Sequence, residues 1–180
     1  TCTDYNRKFL SHFSGDGQYK KIYLNYHGIE LDRFAVSENR KPRAENRTLR
    51  ILSIGRLVET KGFEYLIDAC GILRDKGTAF ECLIVGEGPF MSRLKSQVSG
   101  LKLEGKIKFL GINTQEEIKK LYSEATMLVQ PSVMAKNGDR DGIPNVILEA
   151  MAVGIPIIST NFSGIPEAVI DQQTGILVPE

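Results

Sequence analysis

Short apolar runs separated by polar and glycine-rich breaks recur along the chain from residue 50 onward. Six of them read as strands: RILSI at 50–54, ECLIV at 81–85, IKFL at 107–110, MLVQ at 127–130, PIIST at 156–160 and GILV at 175–178. They lack polar–apolar alternation, as strands covered on both faces should. Between them, Phe63, Leu66, Ile67, Cys70 and Leu73 fall on one face of a helix. Ile118, Leu121 and Tyr122 repeat the spacing behind a cap at Asn113 or Thr114. Strand and helix in alternation predict a mostly parallel sheet with helices on both faces, because parallel neighbours need long, right-handed crossovers. The expected class is α/β, a doubly wound, Rossmann-like sheet of six strands.

Residues 1–48 read differently. A short helix near 3–13 is followed by a glycine-rich break at SGDGQ, an apolar, strand-like IYLNY at 22–26 and a polar linker. This stretch is expected to be a leading segment and interdomain linker, with 49–180 forming the ligand-binding domain. Charge follows the same division. Residues 1–50 carry ten Lys and Arg against six Asp and Glu, and the remainder thirteen against sixteen. The richest stretch, NRKPRAENRTLR, reads as a solvated linker that could also touch anionic lipid.

Composition excludes some classes. With 42% hydrophobic and 25% charged residues, disordered and fibrous chains drop out. Three cysteines without a CxxC pair argue against a disulfide framework and for reduced thiols in the cytosol. The first residues have the pattern of neither a signal peptide nor a targeting sequence, and no apolar run reaches the length of a membrane span. A cytoplasmic location is expected, with peripheral contact at the inner face of the membrane the remaining option. No nucleic-acid partner is expected.

In doubly wound sheets, ligands sit beyond the carboxyl ends of the strands, so the loops there carry the candidate chemistry. After the first core strand comes GRLVETKG, which crowds Gly55, Arg56, Lys61 and Gly62 at one strand end. Glycine lets a ligand approach the backbone, Arg offers a fork matched to phosphate oxygens, and Lys adds a point charge. The plainer alternative is two surface charges on a loop. After the fourth core strand a long loop, PSVMAKNGDRDGI, leads into a helix with Pro144 in its first turn. Asp141 and Gly142 then sit at the helix mouth, where unpaired N–H groups favour an anion. Asp141 could equally serve only as a helix cap. Glu149 interrupts an otherwise apolar run from Val146 to Val153, in a helix expected to be buried all round. At about 7.5 Å beyond Pro144 it could accept hydrogen bonds from a sugar diol, or form a buried structural ion pair.

Other motifs are weaker. DRD at 139–141 mimics a metal-binding aspartate pair, and VGEGPFM begins like a dinucleotide fingerprint but has Met91 where the third glycine belongs. His12 and His27 lack suitably spaced partners for a metal, and no Ser or Cys sits in a nucleophile turn. The residues offer recognition groups without a complete acid–base or covalent machinery.

Taken in order, NYHGIELDRF, ILSIGRLVETKG, LIVGEGP, IKFLG, LYSEATMLVQPS and DGIPNVILEAMAVGIPIIST make the chain resemble the donor-nucleotide domain of retaining, family 4 type glycosyltransferases of the GT-B fold. The resemblance implies half of an enzyme built from two Rossmann-like domains, with the acceptor half preceding this one and further helices following it. It implies that Gly55, Arg56 and Lys61 hold the donor diphosphate, Glu149 the ribose hydroxyls, and Asp141 the transferred sugar, helped by the backbone at Gly142 and Ile143. The base would lie near Gly86 to Pro89 and the turn at Gly111 and Ile112. The family usually has Glu where this chain has Asp141, and a shorter loop before it. The implied donor is a UDP-, GDP- or ADP-sugar, the acceptor a sugar or lipid-linked saccharide, and no metal or further cofactor is required. A nucleotide-sugar epimerase of the same architecture and a non-catalytic nucleotide-binding scaffold are the alternative readings.

Overall fold

Six parallel strands form one sheet in the order β3-β2-β1-β4-β5-β6 in the computed structural model, which describes residues 1–12, 21–34 and 48–180. The strands are β1 (Leu49–Ile54), β2 (Phe80–Val85), β3 (Ile107–Gly111), β4 (Met127–Gln130), β5 (Ile157–Thr160) and β6 (Ile176–Val178). Each falls on one of the six apolar runs, so the doubly wound α/β class stands, with every pairing parallel. β1 pairs with β2 along its whole length, Leu49 opposite Phe80 through Ile54 opposite Val85. On its other side β1 pairs with β4, Ile51 opposite Met127 and Leu52 opposite Leu128.

The helices are α1 (Asp4–Ser11), α2 (Phe63–Asp75), α3 (Met91–Gly100), α4 (Gln115–Glu124) and α5 (Asn145–Val153). Successive strand residues serve two cores, which is why the runs lack alternation. Ile51, Cys82 and Ile84 pack with Phe63, Leu66 and Ile67 of α2 and Leu94 of α3. Leu52, Leu83 and Leu128 pack with Tyr122 of α4 and with Ile147 and Ala150 of α5. Of the two expected cap positions it is Thr114 that caps α4, in a full capping box with Glu117.

Three expectations need correction. IYLNY is not a strand: residues 22–30 have no regular structure, and the Asn25 N–H donates to the Thr1 carbonyl rather than to a neighbouring strand. Its apolar character is spent on half-buried Ile22 and Leu24, while Tyr23 and Tyr26 are exposed. Pro144 stands just outside α5 as its N-cap, with an extended backbone at ψ 127°. Nor is α5 covered all round: Ile147, Ala150 and Val153 form its buried stripe, whereas Met151 is exposed. The first helix is the expected one, shortened to Asp4–Ser11 between Thr3 and His12. The glycine-rich break at 14–18 and the linker at 39–47 lie outside the described residues.

The strand order locates the site. From β1 the chain moves outward through β2 to β3, then returns to lay β4 against the opposite edge of β1. The loops leaving β1 and β4 therefore diverge, and a crevice opens between them where ligands bind in such sheets.

Candidate functional site

The crevice is a cleft of about 540 Å³, lined on one side by Gly55, Arg56, Val58, Thr60 and Lys61 and on the other by Asp139, Asp141, Ile143, Asn145 and Val146. Its floor is the carboxyl end of β1. A β-carbon at Gly55 would come within 3.3 Å of both Cδ and Cε of Lys61, so the bare backbone there is what lets the lysine lie across the loop. Gly62 turns the chain into α2 with φ at 62°, and a β-carbon on it would sit 1.9 Å from the Pro131 carbonyl oxygen. The loops after β1 and β4 are thus packed backbone against backbone, and the Val133 N–H donates to the Thr60 carbonyl at 3.0 Å.

Lys61 Nζ reaches Asp141 Oδ2 at 2.9 Å, with side chains only 17% and 26% exposed. This is the one contact that joins two of the sequence-derived site residues through their charges. A lysine has three donors, so two remain for a ligand. Arg56 is exposed on the rim and makes no ion pair among the described residues. No side chain caps α5, and Asn145 and Val146 of its first turn line the cleft. Unpaired N–H groups at that end favour an anion. Asp139 and Asp141 share the cleft, but no three His, Cys, Asp or Glu among the described residues group as metal ligands.

Gly142 backs away from the cleft: a β-carbon on it would meet Thr3 Cγ2 at 3.3 Å and Cys2 Sγ at 3.5 Å. The Asp141 carbonyl accepts from the Ser163 hydroxyl. Ile143 is buried beneath the mouth. Glu149 is not among the residues lining the cleft. It lies deeper on α5, where its Oε2 accepts from the Tyr122 hydroxyl at 2.8 Å. Tyr122 is fully buried, and burial first, then the neighbouring carboxylate, push its phenol far above the ordinary range, so it acts as a neutral donor.

Gly86 and Gly111 lie at the carboxyl ends of β2 and β3, outside the residues that line the cleft. Gly86, at φ 127°, stacks on the Gly55 carbonyl, which a β-carbon there would approach to 2.0 Å. Its N–H donates to the Gly111 carbonyl at 2.8 Å, while the Gly55 N–H donates to Val85, Leu57 to Glu87 at 2.8 Å, and Phe90 to Leu57 at 3.0 Å. Ile112 stands beyond this ring, 77% exposed.

Sequence reasoning missed Tyr122 as Glu149's partner, Thr60 and Asn145 as lining residues, and the docking of α1 against Gly142. Tyr122 was visible only as an apolar-stripe position. A buried phenol usually finds a hydrogen-bond partner, and that is the signal that could have flagged it.

A six-stranded parallel sheet covered by helices, with a cationic loop, an acid and an uncapped helix end at its switch point, defines a Rossmann-like domain. The chain belongs to the glycosyl transferases group 1 family, whose model matches residues 36–180. The amylovoran biosynthesis glycosyltransferase AmsK of Erwinia amylovora is 43% identical over 162 residues, 89% of this chain and 39% of that protein. The putative colanic acid biosynthesis glycosyltransferase WcaL of Escherichia coli is 39% identical over 89% of this chain and 39% of its own length. The chain therefore spans about 39% of the curated relatives it matches. Among solved structures, Anabaena HepE in complex with UDP-glucose matches with a TM-score of 0.82 over 99% of this chain and 49% of that one, at 21% identity. The C-terminal domain of the Francisella tularensis group 1 protein LpcC matches with a TM-score of 0.69 over 84% and 80%, at 27% identity. The fold is thus Rossmann-like with GT-B-like neighbours. Among the described residues, no helix is long and apolar enough to cross a membrane.

Proposed function

We propose that this chain is the donor-binding half of a retaining, metal-independent glycosyltransferase of the family 4 type, acting in polysaccharide or glycoconjugate synthesis. The observation that carries the reading is the convergence of the Gly55–Lys61 loop, Asp141 and the uncapped end of α5 on one cleft. In this reading Arg56, Lys61 and the first N–H groups of α5 hold the diphosphate of a nucleotide sugar, with Gly55 leaving room for it. Glu149, oriented by Tyr122, takes the ribose hydroxyls. Asp141, with the backbone at Gly142 and Ile143, takes the transferred hexose. The base lies along Gly86, Gly111 and Ile112.

Breaking the sugar–phosphate bond builds negative charge on the leaving oxygen. Two cations and a helix end stabilise that charge without a metal, and removing one such group costs roughly 10² to 10³ in rate. The acceptor, a sugar or lipid-linked saccharide, is brought by an upstream half, as the relatives' greater length suggests. The working location is the cytoplasm, with peripheral contact at the inner membrane face. Alone, the chain binds donor and transfers little.

Calorimetric titration with UDP and GDP in EDTA tests the site. The parent is expected to bind one of them, and an Arg56→Ala, Lys61→Ala double variant to lose that binding. Equal binding by parent and variant, or binding by the parent only when a divalent metal is restored, would overturn the assignment.

A further inference from the structure

The loop between β4 and α5, residues 131–144, delivers Asp141 to the cleft, and its length makes the position of that carboxylate a problem of its own. Its tip is held from within: the Gly138 N–H donates to Ala135 at 2.8 Å, the Ala135 N–H to Asp139 at 2.9 Å, the Asp139 N–H to the Asn137 side chain at 3.0 Å, and Arg140 Nε to the Gly138 carbonyl at 3.3 Å. The segment that follows is fastened to α1 through side chains, while the Ser163 hydroxyl holds the Asp141 carbonyl. Arg140 lies with its guanidinium carbon 4.5 Å from the centre of the Phe9 ring and 5.9 Å from that of Tyr5, and its Nη1 donates to the Tyr5 hydroxyl at 2.8 Å. Two residues on, Gly142 rests against Cys2 and Thr3, so closely that a β-carbon would meet the Thr3 methyl at 3.3 Å. Asp141 is the residue between these two anchors.

Helix α1 is itself fixed at its N-terminal end. The Glu167 carboxylate accepts the N–H groups of Asp4 at 2.7 Å and Tyr5 at 2.8 Å and the Tyr26 hydroxyl at 2.8 Å. Thr3 is fully buried, and a β-carbon at Gly164 would come within 2.6 Å of its methyl. The helix therefore offers Arg140 a fixed aromatic face, and an arginine over such a face is held by both its charge and its planar fork.

We infer that Arg140 is a positioning residue, which anchors the loop to α1 and thereby holds the Asp141 carboxylate where it can receive the sugar of the donor. The inference rests on the donor-site reading of the cleft. Its physical basis is a competition for Lys61. Among the described residues, Lys61 is the one charged group paired with the Asp141 side chain, at 2.9 Å. A bound diphosphate draws Lys61 toward its own oxygens, and that restraint on Asp141 weakens at the moment the carboxylate is needed. The clamp on residues 140 and 142 is made away from the phosphates and is unaffected.

The test compares nucleoside diphosphates, which do not reach Asp141, with their sugar derivatives, which do. UDP, UDP-glucose, GDP and GDP-mannose are titrated calorimetrically into the parent chain, Arg140→Ala, Arg140→Lys and Tyr5→Phe, with folding checked by circular dichroism. In Arg140→Ala the affinity for the nucleoside diphosphate should stay within about twofold. The extra affinity contributed by the sugar should fall about fivefold, the upper end of the range for a partly exposed cation–ring contact. Arg140→Lys should recover part of it, and Tyr5→Phe should show a smaller loss that does not add to that of Arg140→Ala. These two milder variants keep the test open if Arg140→Ala fails to fold. An unchanged sugar contribution, or an equal loss for both ligand types, would overturn the role of Arg140 while leaving the donor site standing. A parent that binds none of the four overturns the donor-site reading, and this inference with it.

Discussion

Gly62 is the residue on which two site loops turn. Its φ of 62° and the 1.9 Å that would separate a β-carbon from the Pro131 carbonyl oxygen leave no room for any side chain. Gly62→Ala should lower stability by more than about 1 kcal/mol in chemical denaturation, because backbone strain and steric overlap add. It should weaken nucleotide binding too, since the displaced loops carry Lys61 and Asp141. Tyr122→Phe acts more gently. It removes a single oxygen from a fully buried ring and leaves Glu149 Oε2 without its donor, at a cost of about 1.5 kcal/mol. An unaltered urea midpoint would show that water replaces the phenol without loss. Glu149 was legible in the sequence as the only charge in an apolar run. Its partner was not, because the two are 27 positions apart on different helices and only packing brings them together.

At the level of elements, the central strands were legible for a physical reason: both of their faces are covered, so nearly every position is apolar, whereas edge strand β6 leaves Ile176 and Val178 exposed. IYLNY misled because apolar composition alone carries no information on whether a pairing partner exists. The ends of the elements opposite the cleft are joined by charges. Arg50 on β1 bonds Glu81 on β2 at 3.1 Å and Glu124 on α4 at 2.7 Å, and Lys108 on β3 bonds Glu81 at 2.5 Å. The Lys108 hydrogen bond first, with lesser help from Arg50, holds the Glu81 carboxyl below its ordinary 4.5 against the opposing effect of burial. A lowered folded value means that this stabilisation is complete above the ordinary value and is lost as pH falls through the lowered one. Glu81→Gln should therefore be less stable than the parent at neutral pH and converge with it in acid. Denaturation midpoints that differ by the same amount at pH 7 and pH 3 would exclude this account.

Across the whole molecule, the sequence showed which loops could bind but not where they meet, since strand order depends on pairings between distant segments. The family pattern supplied roles for Arg56, Lys61, Asp141 and Glu149. It did not supply the Lys61–Asp141 ion pair or the seat of the β4–α5 loop on α1, both of which depend on this chain's own loop. The backbone bonds that link the loops after β1, β2 and β3 have a dynamic consequence. Binding loops are commonly the first parts of a protein to open. Here Gly55, Leu57, Gly86 and Phe90 donate their N–H groups from one loop or strand end to the next, so these three loops open together and not singly. Their amide protons should exchange with deuterated solvent nearly as slowly as those of β1 and β2, even without nucleotide. Binding to such loops orders little new backbone, and a smaller share of the affinity is lost to immobilisation. Rapid exchange at these four amides, slowed only when nucleotide is added, would mean that the ligand itself stiffens the loops.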